Sequence, residues 1–78
     1  MRDVLNVHVA FDDEAGVWYV SHSVVHGLRV EAPDMERMIE RVSGALRDLL
    51  DDRDGPDGLD IPVEVIAHHA MSVRRAVA

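Results

Sequence analysis

The longest regular pattern in the chain is a helical repeat between Asp34 and Leu50. Apolar residues recur there every three or four positions, with charged residues between them. They are Met35, Met38, Ile39, Val42, Leu46, Leu49 and Leu50. This spacing predicts an amphipathic helix with one apolar stripe, and Asp34 is placed to cap its first turn. Because a single such helix buries its stripe on a sheet, the rest of the chain is expected to supply one.

Hydrophobic residues alternate with period two on both sides of the helix. The alternation predicts strands over 3–11, 17–21, 28–31 and 61–67. In the first strand, Leu5, Val7, Val9 and Phe11 share one face and Asn6, His8 and Ala10 share the other. The acidic segment 12–16 predicts a hairpin loop, and Gly27 predicts a turn or bulge before the third strand.

The element order is therefore strand, strand, strand, helix, strand. Three strands form a meander, and a right-handed crossover places the last strand parallel to the first. The prediction is an α+β fold with sheet order 3-2-1-4 and one helix on one face. Residues 1–70 form the domain and residues 71–78 a flexible tail. The face away from the helix shows Asn6, His8 and Ala10, with either Trp18 and Val20 or Val17 and Tyr19.

Composition narrows the classes of function. The chain has 78 residues, no Cys and a net charge of −7. Its length predicts one domain, and the missing Cys excludes disulfides and thiolate metal sites. The negative charge argues against nucleic-acid or anionic-membrane binding. It suits either a basic protein partner or solubility alone, and the sequence does not choose between these two. No run spans a bilayer and no signal-peptide core begins the chain, so a cytoplasmic location is expected. A core this small favours a homo-oligomer, either a dimer or a tetramer.

No residue cluster predicts a reaction, so no enzyme, cofactor or metal site is expected. Segment 52–60 misses the spacing of a calcium loop, and no Ser lies in a nucleophile motif. The five histidines are expected to be surface or structural side chains, although His8 and His22 can meet if the register allows it. They are His8, His22, His26, His68 and His69. A metal-dependent nuclease would need carboxylates such as Glu36, Glu40 or Asp60 to be buried and to converge on one site.

Four segments resemble the HicB-like antitoxin domain, and specifically its small stand-alone members. They read DEAGVWYVS over 13–21, VHGL over 25–28, EAPDMERM over 31–38 and IPVEVI over 61–66. The positions that match are Gly16, Trp18, Val20, Gly27, Leu28, Asp34, Ile61, Pro62, Glu64 and Ile66. The chain departs from the family at His26, where the family has Pro, and at Asp34, where it has Ser or Thr.

The resemblance implies a partial RNase H-like fold that lacks catalytic metal residues. It also implies a function, which is to bind and neutralise a small basic mRNA interferase of the HicA type. No DNA-binding segment follows Ala67, so direct nucleic-acid binding is not expected. The predicted interface comprises Trp18, Val20, His8 and Asn6, and packing in the core is the alternative for Trp18. The alternative is an orphan homo-oligomeric structural or regulatory domain that has no toxin partner.

Overall fold

The computed structural model describes residues 4–51 and 61–76, which form four strands and one helix. The elements are β1 (Leu5–Asp12), β2 (Val17–Ser23), β3 (Glu31–Ala32), α1 (Met35–Asp51) and β4 (Val63–His68). The strands form one sheet in the order β3-β2-β1-β4. β1 pairs antiparallel with β2 and parallel with β4, and β3 pairs antiparallel with β2. The predicted α+β fold and the strand order 3-2-1-4 are therefore confirmed.

The acidic loop between β1 and β2 is held by Asp12. Its Oδ1 atom accepts hydrogen bonds from the backbone amides of Glu14 and Ala15, at 3.0 and 3.2 Å. The amide of Gly16 donates to the Asp12 carbonyl at 2.7 Å, and Gly16 has a φ of 68°. Side chains disfavour that left-handed conformation, so glycine suits the end of the loop. This geometry fixes which residues of β2 lie opposite β1.

The helix begins as its sequence predicts and buries most of its predicted stripe. The Oδ1 atom of Asp34 accepts a hydrogen bond from the Arg37 amide at 2.8 Å, which is N-cap geometry. Met38, Val42 and Leu46 are buried in the core. Their partners from the strands and the connecting loop are Val7, Val9, Val25, Leu28 and Ala32.

Ile39 was predicted to join this stripe, and that prediction is wrong. It is 52% exposed. One residue step turns a helix by about 100°, and from Met38 this step carries Ile39 beyond the narrow surface that faces the sheet. Ala45, which was not predicted, instead packs against the core.

The third strand is shorter and lies later than the predicted segment 28–31. Leu28 is buried, but it lies in the loop that follows the turn at Gly27, where φ is 86°. Only Glu31 and Ala32 pair with β2, preceded by one hydrogen bond from the Val20 amide to the Val30 carbonyl at 3.2 Å. The prediction placed a strand at Leu28 because a buried apolar residue in a loop gives the same hydrophobic pattern as a strand residue.

The second strand is longer than predicted because it contains a bulge. Val9 lies opposite Val20, whereas His8 lies opposite His22, so Ser21 is an extra residue. The Ser21 hydroxyl donates to the His8 carbonyl at 3.2 Å. This extra residue places His22 on the same face of the sheet as His8.

The helix does not cover the sheet evenly. Its main contacts are with β2 and β3. β4 lies at the opposite edge of the sheet, and its residues are exposed or half-buried. Pro62, just before β4, still accepts a hydrogen bond at its carbonyl from the Leu5 amide at 2.9 Å. The β4 edge is consequently the part of the sheet that the described chain protects least.

Candidate protein-interaction face

The strand pairings define the side of the sheet that faces away from the helix, here called the open face. Directly paired residues lie on the same side of a sheet, and residues two apart in a strand also share a side. The open face comprises Asn6, His8, Ala10 and Asp12 of β1, Val17, Tyr19 and His22 of β2, Glu31 of β3, and Glu64, Ile66 and His68 of β4. These described strand residues include three carboxylates and no Arg. Aromatic and aliphatic side chains, Tyr19 and Ile66 among them, lie between these charges.

The four residues predicted as one interface lie on two different sides of the sheet. Asn6 and His8 are on the open face. Trp18 and Val20 are on the helix side, where both pack against the hydrophobic core. Val20 lies opposite the buried Val9, and the Trp18 ring meets the Phe11 ring edge-on at 5.3 Å. The predicted grouping of these four residues is therefore corrected.

Periodicity alone does not place Trp18 because both faces of β2 are apolar in sequence. Val17 and Tyr19 alternate with Trp18 and Val20, and each pair would suit a buried face. The deciding information is the register of the hairpin, which sets Asp12 opposite Val17 and Ala10 opposite Tyr19. The alternative considered from the sequence, with Val17 and Tyr19 on the open face, is the correct one.

Three histidines from three neighbouring strands form a row across the open face. The ring centroids of His8 and His22 are 5.8 Å apart. The Nδ1 atom of His8 and the Nε2 atom of His68 are 3.1 Å apart, within hydrogen-bonding distance. Their rings are inclined by only 10°, with centroids 5.3 Å apart. His68 was not a predicted site residue, although its parity with Glu64 and Ile66 in β4 indicates the open face.

The structure was searched for metal-binding clusters and for the carboxylates that nuclease chemistry would use. Within 4–51 and 61–76, no three His, Asp or Glu side chains are close enough to hold a metal ion together. Glu36 and Glu40, the helical carboxylates considered for nuclease chemistry, are exposed to solvent. Asp60 and the calcium-like segment 52–60 lie outside the described residues. In the same described ranges, no helix is long and apolar enough to cross a membrane.

A small aromatic cluster occupies the helix side at the hairpin end of the sheet. The His69 ring lies 4.8 Å from the Phe11 ring and 5.7 Å from the Trp18 ring. Its Nε2 atom is 3.9 Å from the Asp13 carboxylate. These contacts hold the chain at the first residue after β4, while residues 70–76 beyond it are exposed.

Comparisons with known proteins identify a family for the chain and a similar solved structure. A family model described as "Domain of unknown function (DUF1902)" matches residues 4–76. The chain belongs to the DUF1902 family. It is also similar to a hypothetical protein, TTHA1013, from the extremely thermophilic bacterium Thermus thermophilus, whose crystal structure has been solved. That match has 28% identity and a TM-score of 0.64, and covers 94% of this chain and 100% of that one. No curated protein matches the chain.

Proposed function

We propose that this DUF1902 protein is a HicB-like antitoxin, a protein-interaction module that binds and neutralises a small basic mRNA interferase of the HicA type in the cytoplasm. The observation that carries the proposal is the open face, which the described helix leaves uncovered and whose described strand residues include three carboxylates and no Arg. A partner that binds RNA must present a basic surface, and such a surface is complementary to this one.

The chemistry of the open face suits a protein partner. Asp12, Glu31 and Glu64 are spread over three strands. Tyr19, which is 38% exposed, lies among them and offers both a ring and a hydroxyl group. Aromatic anchors surrounded by charged residues are common in protein interfaces, where the aromatic supplies affinity and the charges supply specificity.

The identity of the partner comes from the resemblance to HicB-like domains. Three of the matching residues have defined structural roles in this fold. Gly16 and Gly27 adopt positive φ angles, and Asp34 caps the helix. The match therefore supports a common HicB-like, partial RNase H-like architecture, and the proposal extends it to a common class of partner.

The alternative function is a homo-oligomeric structural or regulatory domain that has no toxin. The exposed β4 edge favours this alternative because an unprotected strand edge is a site for pairing with another chain. The two functions predict different complexes. An antitoxin forms a stable heteromeric complex with a basic protein, whereas an orphan oligomer contains only copies of itself.

The test is to co-express the chain with the protein encoded beside its gene, to measure the mass of any complex by light scattering after size exclusion, and to determine its dissociation constant by titration. Glu31→Arg reverses a charge on the open face. Glu36→Arg makes the same change on an exposed turn of the helix and is the matched control. We expect Glu31→Arg to weaken the complex at least tenfold and Glu36→Arg to leave its affinity within twofold.

Two results would overturn this proposal. One is the absence of any complex with the protein encoded beside the gene, accompanied by a homo-oligomer of unchanged mass. The other is a complex that Glu36→Arg weakens as much as Glu31→Arg does, because binding would then not depend on the open face.

A further inference from the structure

The segment after β4 projects away from the rest of the molecule. The radius of gyration of the Cα atoms is 15.9 Å. A compact domain of 78 residues has a radius of about 11.5 Å. The longest dimension is 63 Å, against 28 and 20 Å for the other two. Residues 70–76, here called the arm, are exposed throughout, with Met71 78% and Val73 80% exposed.

The arm and the body of the protein carry opposite charges. Residues 1–67 hold all fifteen acidic residues and six of the eight Arg, a net charge of −9. Residues 68–78 hold Arg74 and Arg75 and no acid, a net charge of +2. A positively charged arm is attracted to an acidic surface. Because the arm extends away from the body of its own chain, that surface belongs to another molecule. A second copy of the chain presents the same acidic surface.

The β4 edge has the features of a surface that receives another strand. It is a six-residue strand whose outer side pairs with no strand among the described residues. Val63 is 39% exposed and Val65 is half-buried, because the helix lies over β2 and β3 instead. An added strand would satisfy the free backbone groups and cover these side chains. The arm contains neither Pro nor Gly, so every residue can donate a backbone hydrogen bond.

We propose that the protein forms a two-fold dimer in which the arm of each copy pairs antiparallel with the β4 edge of the other. The two-fold axis lies at His69, so that residue i of one copy opposes residue 138 − i of its partner. Each sheet thereby gains a fifth strand. This dimer does not depend on the proposed toxin partner, because it uses the β4 edge and the arm.

Side-chain chemistry selects this register. A two-fold axis perpendicular to a continuous sheet keeps each side chain on its own face, so two opposed residues must lie on the same face. Residues of one face alternate along a strand, so the numbers of two opposed residues are both even or both odd and their sum is even. With a sum of 138, Glu64 opposes Arg74 and Val65 opposes Val73, while Ala67 opposes Met71. Opposite charges and β-branched pairs are both favourable across strands. A sum of 136 sets Arg74 opposite Pro62, and a sum of 140 sets Arg75 opposite Val65.

The first experiment measures the dimer dissociation constant of the full chain by analytical ultracentrifugation. Arg74→Glu turns both Glu64–Arg74 pairs of the dimer into like charges, and we expect dissociation to become about tenfold easier. Arg75→Glu makes the same charge change opposite Val63 and should shift the constant less than threefold. The exchanged pair Glu64→Arg with Arg74→Glu should restore the wild-type constant within threefold.

A second experiment fixes the register independently of affinity. Because the chain has no Cys, a single introduced Cys is unique. Chains carrying Glu64→Cys are mixed with chains carrying Arg74→Cys and oxidised with copper–phenanthroline. We expect a cross-linked heterodimer from this mixture. The control mixture of Glu64→Cys with Arg75→Cys should cross-link far less, because those two side chains would lie on opposite faces of the sheet.

Each result decides the proposal. The proposal is supported by a concentration-dependent dimer that cross-links at 64 and 74 and that Val73→Asp weakens. The control is Val24→Asp, which makes the same change at another exposed valine and should leave the dimer unchanged. A monomer at all accessible concentrations would overturn it. A dimer that cross-links equally at 64 and 75, or whose constant is unaffected by both Arg74→Glu and Val73→Asp, would show that the copies meet elsewhere.

Discussion

The Nδ1 atom of His8 and the Nε2 atom of His68 lie 3.1 Å apart, although 60 residues separate them in the chain. They join β1 to β4 on the open face. A hydrogen bond between two imidazoles needs one donor and one acceptor nitrogen, so one of these two atoms carries the hydrogen and the other accepts it. With the His22 ring 5.8 Å from the His8 ring, the three imidazoles form a continuous row across β2, β1 and β4.

The core prediction contrasts two neighbouring residues of the helix. Met38 is fully buried, whereas Ile39 is 52% exposed. Met38→Ala should lower the free energy of unfolding by about 2–5 kcal/mol, because it removes buried atoms and leaves a cavity. Ile39→Ala removes a side chain of similar size from a mostly exposed site and should cost about 1 kcal/mol or less. Urea denaturation followed by circular dichroism measures both. Equal losses would mean that Ile39 is buried in solution, as it would be at an interface.

Much of the fold was predictable because its elements have clear patterns. The helix, its cap at Asp34 and the order of the strands follow from periodicity and from the handedness of crossovers. The short β3 was not predictable, because a buried loop residue such as Leu28 alternates with its neighbours as a strand residue does. The bulge at Ser21 was not predictable either, since it depends on the pairing of β1 with β2.

The candidate site was predictable only in part, and for a related reason. Asn6 and His8 could be placed because β1 is apolar on one face alone. Trp18 and Val20 could not, since β2 is apolar on both faces and its orientation is set by the hairpin register. The approach of His8 to His68 depends on the parallel register of β1 with β4, which brings Ala10 opposite His68. Such register information lies in tertiary contacts and not in either strand alone.

The helix cap allows a test of local stability that leaves the open face unchanged. Asp34 accepts from the Arg37 amide through its carboxylate. Asp34→Ala removes that acceptor and should lower the free energy of unfolding by about 1 kcal/mol. Asp34→Ser retains an oxygen at the cap and should recover most of the loss. Chemical denaturation of the three proteins provides the comparison, and equal losses for Ala and Ser would show that the cap is not the cause.

Two glycines should respond to alanine in opposite directions. Gly27 has a φ of 86°, whereas Gly44 lies inside the helix, where an added Cβ would meet nothing within 4 Å. Gly27→Ala should cost about 1–2 kcal/mol, because a side chain strains the left-handed conformation. Gly44→Ala should instead stabilise the fold by about 0.5–1 kcal/mol, since alanine loses less backbone freedom in a helix. Thermal and urea unfolding of both variants tests this. A destabilised Gly44→Ala that still folds would reveal a close contact at that surface of the helix, such as a second chain packed against it.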